Sequence, residues 1–353
     1  MKALVLSGGK GTRLRPLTHT SAKQLVPIAN KSILFYCLES ISEAGIKDVG
    51  IIVGDTHQEI KDAVKDGSVW GLQITYIKQD APLGIAHAVK IAQDFIQDDD
   101  FVVFLGDNLI RGGIKGFVNE FSARKSNCQI LLAQVAHPQE YGVAYLQEGR
   151  VLKLEEKPKN PKTDLALVGV YMFDSHIFEA VGAIKPSRRN ELEITDAIQY
   201  LLDAGYQVNS HIIDGWWKDT GKLEDLLEAN RLMLDSFTGS IQGEVDSDSQ
   251  IEGRVVIQKG AKIINSRIRG PVIIGENTQI INSYIGPFTS INYNVKIENS
   301  EIEHSVILEE SAIMDIPAKI ADTLIGKNVQ ITRSNHKPRA YRFMLGDNSQ
   351  VWL

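Results

Sequence analysis

Short apolar runs alternate with helical patterns along the first two thirds of the chain. Residues 3–6, 49–53, 73–77, 101–105, 129–135 and 167–173 read as strands. Stretches with apolar residues three or four apart, 33–44, 58–66, 84–95, 114–125, 191–203 and 223–234, read as helices. In the first of these, Leu34, Leu38 and Ile41 share a face and Gly45 follows the end. Tyr141-Gly142-Val143 opens a hairpin-like segment, and Gly215 to Gly221, GWWKDTG, is expected to end a strand. The alternation predicts an α/β fold with a Rossmann-like mixed, mostly parallel sheet covered by helices. Ligands of such sheets sit beyond the carboxyl ends of strands. The glycine turn after the first strand and the Gly106-Asp107-Asn108 turn after residues 101–105 lie at such ends.

Past residue 240 the period changes. Ile or Val recurs every five or six residues, from Ile251 through Ile257, Ile263, Ile268 and Ile273 to Ile331, with Gly, Asn and Ser between. This hexapeptide repeat predicts a parallel β-helix, in which each short side points one aliphatic residue inward and neighbouring coils complete the core. The expected organisation is a catalytic domain over 1–237, a β-helix over 238–332 and a tail over 333–353. The tail carries cations, then Tyr341, Phe343, Met344, Leu345 and Trp352, and would cap the open end of the β-helix.

Composition narrows the function. The 353 residues fit two domains, and a net charge of −6 argues against nucleic-acid binding through bulk charge. The two cysteines, Cys37 and Cys128, lie far apart on apolar segments and read as buried thiols in a reducing compartment. No charged leader precedes the first strand and no apolar stretch reaches membrane-spanning length, so a cytoplasmic protein is expected.

Candidate chemistry is concentrated at the N-terminus. The first strand empties into Gly8-Gly9-Lys10-Gly11, followed by Arg13 and Lys23. Backbone N–H groups in such a turn face anything negative beyond the strand, and glycines allow a phosphate to approach closely. The P-loop pattern is absent, and the third glycine of the dinucleotide fingerprint falls on Leu14.

The stretch GGKGTRLRPLT, with Lys23 and Pro27-Ile28, resembles the sugar-1-phosphate nucleotidyltransferases. The resemblance continues through PLGIAHA (82–88), FLGDN (104–108), YGV (141–143), EEKP (155–158), GVYMFD (169–174), ELEITD (191–196) and WWKDTG (216–221). It is strongest with long-form members, which carry a C-terminal left-handed β-helix. One departure is Lys31-Ser32, where the family usually has Lys-Pro.

The resemblance implies condensation of a nucleoside triphosphate, dTTP, with glucose 1-phosphate to give dTDP-glucose and pyrophosphate. The sugar phosphate is already an anion, so the task is to hold two anions in line and neutralise developing charge. By resemblance, Arg13, Lys23, Asp107, Lys157 and Asp219 are catalytic, and Asp107 and Asp219 hold Mg²⁺. Leu6, Gly8, Gly9, Gly11, Thr12, Gln79, Pro82 and Gly84 join Arg13 and Asp107 in binding the nucleotide, Gln79 facing the pyrimidine edge. Asn108, Gly142, Glu156, Val170, Tyr171 and Trp217 join Lys23 and Lys157 around the sugar phosphate.

A homo-oligomer without nucleic-acid or membrane partners is expected. UTP is the alternative donor, since a glutamine suits uracil as well as thymine. A non-catalytic regulatory or assembly subunit is disfavoured by the presence of Arg13, Lys23, Asp107 and Asp219. A bifunctional acetyltransferase would need a histidine in the β-helix. His304, between Ile302 and Ile307, is the one histidine among the repeats and is expected to point outward.

Overall fold

The computed structural model describes residues 1–9, 11–19, 21–333 and 341–352. Contacts divide the chain into two units: residues 1–10, 22–25 and 33–219, and residues 11–21, 26–32 and 220–353.

The first unit is built on a nine-stranded sheet. Its elements in chain order are β1 (Lys2–Ser7), α1 (Ile33–Glu43), β2 (Asp48–Val53), α2 (His57–Val64), β3 (Gln73–Lys78), α3 (Ile85–Ile91), β4 (Phe101–Leu105), β5 (Asn108–Ile110), α4 (Lys115–Arg124), β6 (Cys128–Gln134), β7 (Gly142–Gln147), β8 (Arg150–Glu156), β9 (Leu165–Phe173), α5 (Ile177–Ala183), α6 (Ile194–Asp203), β10 (Val208–Ile212) and β11 (Trp217–Asp219). The sheet runs β8-β7-β9-β4-β1-β2-β3, with β6 also on β9 and β10 on β6. β4, β1, β2 and β3 are parallel, as are β6 and β10, whereas β9 runs antiparallel to its neighbours. Ala3, Leu4 and Val5 of β1 are fully buried because both faces of the sheet are covered, which is why the run reads as continuous rather than alternating.

Several local expectations shift. The helix expected over 84–95 breaks at Ala92 into α3 and a turn of helix at Gln93–Ile96. The one over 191–203 starts only at Ile194. GWWKDTG does not end a strand but contains one, since β11 pairs with β5 as a separate two-stranded ladder. β10, VNSHI, escapes a reading of apolar runs because its side chains are half-buried or exposed along an edge. Cys37 and Cys128 are free and fully buried, and burial pushes both thiols up. Among the described residues no helix is long and apolar enough to cross a membrane.

The second unit is dominated by a left-handed parallel β-helix whose short strands stack into three ladders. The first face stacks Ser240–Ile241, Val255–Ile257, Val272–Ile274, Thr289–Ile291, Val306–Ile307 and Leu324–Ile325. Its interior is the expected aliphatic column, with Ile257, Ile268, Ile280, Ile285, Ile291, Ile297, Ile302, Ile307 and Ile313 all at 0% exposure. Each such side chain contributes about 1.5–3 kcal/mol when withdrawn from water. Ile273 breaks the simple register. Val272 and Ile274 point inward, and strand alternation sends Ile273 outward, where it packs with Ala29 and Leu234.

That outward packing is owed to α7 (Leu223–Asp235), which buries Leu226, Ala229, Asn230 and Leu234. The spacing puts these residues on one helical stripe. The α7 N-terminus is capped by the Asp225 carboxylate, which accepts the Lys222 backbone N–H at 3.1 Å. His304 sits in a turn with φ 44°, its Nδ1 paired with the Asp322 carboxylate, while Ile302 and Ile307 fill the core.

The tail expectation falls partly on residues 334–340 and Leu353, which lie outside the described residues. Residues 341–352 form no strand and leave Tyr341, Met344 and Trp352 exposed.

Candidate active site

The carboxyl end of β1 gathers side chains from several distant segments. The Gly106 N–H donates to the Leu6 carbonyl at 3.0 Å, which holds the turn after β4 against the end of β1. A Cβ on Gly8 would lie 3.2 Å from Gln79 Oε1, and one on Gly9 would lie 3.0 Å from Lys23 Cε. The two glycines therefore mark where Gln79 and Lys23 approach the backbone, and any larger residue would displace them.

Lys23 Nζ donates to Asp107 Oδ2, and Asn108 Nδ2 donates to Asp107 Oδ1 at 3.0 Å. Asp107 is only 8% exposed. Burial alone opposes its ionisation, but the Lys23 ammonium and the donors from Lys23 and Asn108 outweigh it and hold the carboxyl below its ordinary range. Asp219, on β11, lies opposite Asn108 of β5 in the antiparallel register. Asp107 and Asp219 are thus brought to neighbouring positions although far apart in sequence. Two carboxylates brought to neighbouring positions suit a hard divalent cation that takes its remaining ligands from phosphate oxygens and water. Among the described residues no cluster of three or more His, Cys, Asp or Glu forms a protein-only cage. The donor set therefore fits a cation shared with an anionic substrate rather than a structural metal.

A second group of side chains flanks this pair. Trp217 Nε1–H donates to Asn108 Oδ1 at 2.6 Å, and its ring meets the Tyr141 ring edge-on at 5.3 Å between centroids. A Cβ on Gly169 would fall 2.5 Å from Asn108 Oδ1, so a glycine is needed there for Asn108 to keep its place. At Gly142 a Cβ would fall 2.7 Å from Thr195 and 3.0 Å from Glu156 Oε2. Glu156 accepts from Thr195 Oγ1 at 3.2 Å and from Arg189 Nη1 at 3.1 Å. Its pKa is raised, first by burial and then by the Glu193 carboxylate, against the opposing pull of Lys157 and Arg189. Tyr171 is 4% exposed, and burial together with Glu156 pushes its phenol up. The Val170 side chain is fully buried in the sheet core, which leaves only its backbone to offer. Lys157 is exposed with φ 41°, its N–H bonded to the Tyr141 carbonyl at 3.1 Å.

On the other flank, Gln79 Nε2 lies 2.9 Å from His87 Nδ1. Burial and then Lys90 lower the His87 pKa, so the ring is neutral and accepts the amide N–H. Gln79 Oε1 is then the group turned toward Gly8. Gly84, with φ 102°, stands before α3 where a Cβ would fall 2.4 Å from the Leu192 carbonyl, and Pro82 is exposed nearby.

Gly11, Thr12 and Arg13 belong to the second unit. Gly11 takes φ 63° ahead of a 3₁₀ turn at Thr12–Leu14, with Thr12 and Arg13 exposed. Four residues at the site carry no role in the sequence reading: Thr195, Arg189, Tyr141 and His87. Thr195, His87 and Tyr141 fall inside the motifs ELEITD, PLGIAHA and YGV, which were the available signal. Arg189 has none beyond its place before Glu191 and Glu193.

Residues 2–236 match the sequence profile of the nucleotidyl transferase family. A glucose-1-phosphate thymidylyltransferase of Streptomyces antibioticus is 57% identical over 353 residues, 99% of either chain. One of Streptomyces griseus is 53% identical over 100% of this chain and 99% of its own. Among solved structures, a candidate glucose-1-phosphate thymidylyltransferase of Bacillus anthracis in complex with sucrose is 36% identical, with a TM-score of 0.64. It covers 68% of this chain and 98% of its own.

Proposed function

This chain belongs to the nucleotidyl transferase family, and from that premise we propose that it is a glucose-1-phosphate thymidylyltransferase using dTTP, acting in the cytoplasm with Mg²⁺. The carrying observation is the Lys23–Asp107 pair set against Gly9 at the end of β1, where a cation and an ionised carboxylate meet a backbone open to phosphate. The choice of thymidylyl and glucose rests on the full-length similarity to the two Streptomyces enzymes.

An oxygen of glucose 1-phosphate attacks the α-phosphorus of dTTP. The bond from that phosphorus to the bridging oxygen breaks, and pyrophosphate leaves with the bonding pair. Gly8 and Gly9 let the triphosphate lie against the backbone, and Lys23 supplies charge between the two phosphates. Arg13, a planar and permanently charged group, takes the leaving pyrophosphate. Asp107 and Asp219 would hold the Mg²⁺, which when bound neutralises phosphate charge as it shifts toward the leaving group. Glu156 accepts sugar hydroxyls, with Arg189 and Thr195 fixing its carboxylate, and Lys157 meets the sugar phosphate. Gln79, held by His87, presents its carbonyl to N3–H of the base.

Pyrophosphate release measured for dTTP and UTP against a set of sugar 1-phosphates tests the assignment. The dTTP–glucose 1-phosphate pair is expected to give the highest kcat/KM. Strong turnover with UTP and little with dTTP would make it a uridylyltransferase.

The raised pKa of Glu156 carries a second expectation. The residue accepts hydroxyls most strongly when ionised, so acidification should raise the KM for glucose 1-phosphate at a higher pH than an ordinary carboxylate would. In Glu156→Gln that acid-side rise disappears, and the KM stays about tenfold above the wild-type plateau, the scale of one lost charge-assisted bond. Ionisation of the substrate phosphate is common to both proteins and cancels in their ratio. An unchanged acid limb in the variant would remove Glu156 from the sugar site.

A further inference from the structure

A glutamine side chain offers two different groups to a base. One corner of its amide is an acceptor oxygen, the other a donor NH₂, and a half-turn about the last bond exchanges them. The Gln79 backbone does not choose between the two. Its N–H donates to the Val53 carbonyl at 2.8 Å, one step past the end of β3, and the side chain continues from there half-buried.

The choice is made by His87. Its ring Nδ1 lies 2.9 Å from the amide nitrogen of Gln79. That nitrogen only donates, so the ring is neutral, carries its proton on the far nitrogen and accepts at Nδ1. Burial and then Lys90 favour the same neutral form. The opposite amide orientation would set Gln79 Oε1 against a lone pair. The ring's own backbone is fixed by α3. Ala86 and Ala88 on either side are 0% and 1% exposed, and the Ala86 N–H donates to the Leu192 carbonyl at 3.1 Å. With its nitrogen engaged, Gln79 turns Oε1 to the end of β1, 3.2 Å from where a Cβ on Gly8 would stand. No described residue donates to that oxygen. All of these residues lie in the first unit.

We propose that His87 is a specificity-determining residue: by holding the Gln79 amide it presents a fixed acceptor to the base, so the site takes pyrimidines that carry an N3–H and rejects cytosine, whose N3 is a lone pair. This rests on the role given to Gln79 above. Thymine and uracil donate to Oε1, whereas cytosine sets one acceptor against another and leaves both unpaired. His87 acts through Gln79 as a positioning residue, without touching the nucleotide.

Kinetics of the full-length chain with dTTP and with 5-methyl-dCTP test it, because the two triphosphates differ only at N3 and at the 4-substituent. The wild type should prefer dTTP by at least about 10²-fold in kcat/KM. His87→Ala frees the amide to turn, and His87→Lys, which has donors and no acceptor, turns it round. The preference should fall about tenfold in the first and about 10²-fold in the second, with 5-methyl-dCTP gaining as dTTP loses. The KM for glucose 1-phosphate should stay within about twofold of wild type in both. A merely structural histidine would lower both triphosphates together, so equal losses with an unchanged preference overturn the proposal. Gln79→Leu, which removes both corners of the amide, separates this from the base reading. A wild-type preference in Gln79→Leu overturns the assignment of Gln79, and the role of His87 with it. A lost preference in Gln79→Leu beside a wild-type preference in His87→Ala and His87→Lys overturns the role of His87 alone.

Discussion

Replacing Asp107 by asparagine is expected to lower turnover of dTTP and glucose 1-phosphate by at least about 10³-fold, the scale of losing a preorganised charge at a phosphoryl-transfer centre. The substitution keeps the shape but removes the charge that faces Lys23, and with it one of two carboxylates available to a divalent cation. Burial would normally keep such a carboxyl protonated. Here the Lys23 ammonium and the Asn108 amide keep it ionised, so its charge is present across the working range and wild-type kcat should show no acid limb from this group. The same shift makes a stability statement. A folded-state pKa below the unfolded value of about 3.9 contributes stability that is fully present above that value and lost as pH falls through the folded one. Asp107→Asn should lack that component of acid unfolding. Its kinetics should also call for more Mg²⁺ to reach half-maximal rate, with Asp219→Asn changing in the same direction. Near-normal turnover of Asp107→Asn, with a normal Mg²⁺ requirement, would remove the residue from the metal site.

The second large effect is one of stability. Asn230→Ala should destabilise the second unit by about 3–5 kcal/mol. Asn230 lies on α7 at 0% exposure and makes three bonds at once. Its Oδ1 accepts the Ala29 N–H at 2.9 Å and the Ser290 hydroxyl at 2.6 Å, while Nδ2 donates to the Phe288 carbonyl at 3.0 Å. Truncation leaves the Ala29 N–H and the Ser290 hydroxyl buried and unpaired, each costing about 1–3 kcal/mol before the structure relaxes, and takes the donor from the half-buried Phe288 carbonyl. The bond to Ala29 matters beyond its count. Ala29 and Asn30 sit at φ 49° and 62° in the tight turn that joins Pro27–Ile28 to Lys31–Ser32. A non-glycine residue keeps that conformation only when its surroundings enforce it. Asn230 does so from α7, and Asn30 Nδ2 adds a bond to the Ile291 carbonyl at 2.7 Å. The Lys31-Ser32 departure from the family pattern falls in this ladder, outside the Lys23–Asp107 pair. In scanning calorimetry the transition of the second unit should move down by roughly 10 °C. A shift of less than about 2 °C would mean that the three partners find others without loss.

Two kinds of information were readable in the chain, and both are local. A buried parallel strand needs a continuous apolar run, so β1, β2 and β4 announce themselves, as does the glycine turn that must follow β1 for a phosphate to approach. A coil of the β-helix needs an aliphatic residue at each inward corner, so residues 251–331 announce their architecture by period. Where burial is partial the signal weakens, which is why β10 has no apolar run to mark it and the short strand inside GWWKDTG is hard to place. Where two adjacent apolar residues compete for the core, period cannot choose between them. The repeat alone points Ile273 inward, and the structure turns it outward because α7 lies there to receive it.

The glycine turn, Arg13, Lys23 and the two aspartates could be named as candidates from the residues and motifs alone. Their association could not. Lys23 and Asp107 are 84 positions apart, and nothing in either segment states that the ends of β1 and β4 are neighbours. The Gln79–His87 contact and the Thr195 and Arg189 bonds to Glu156 are likewise products of packing, made where chain segments happen to converge. The sequence determined by itself which segments become strands, helices and coils, because those depend on period and on neighbouring residues. Only the tertiary structure decided which charges meet and which face of the β-helix is covered, because those depend on contacts between residues that the chain order keeps apart.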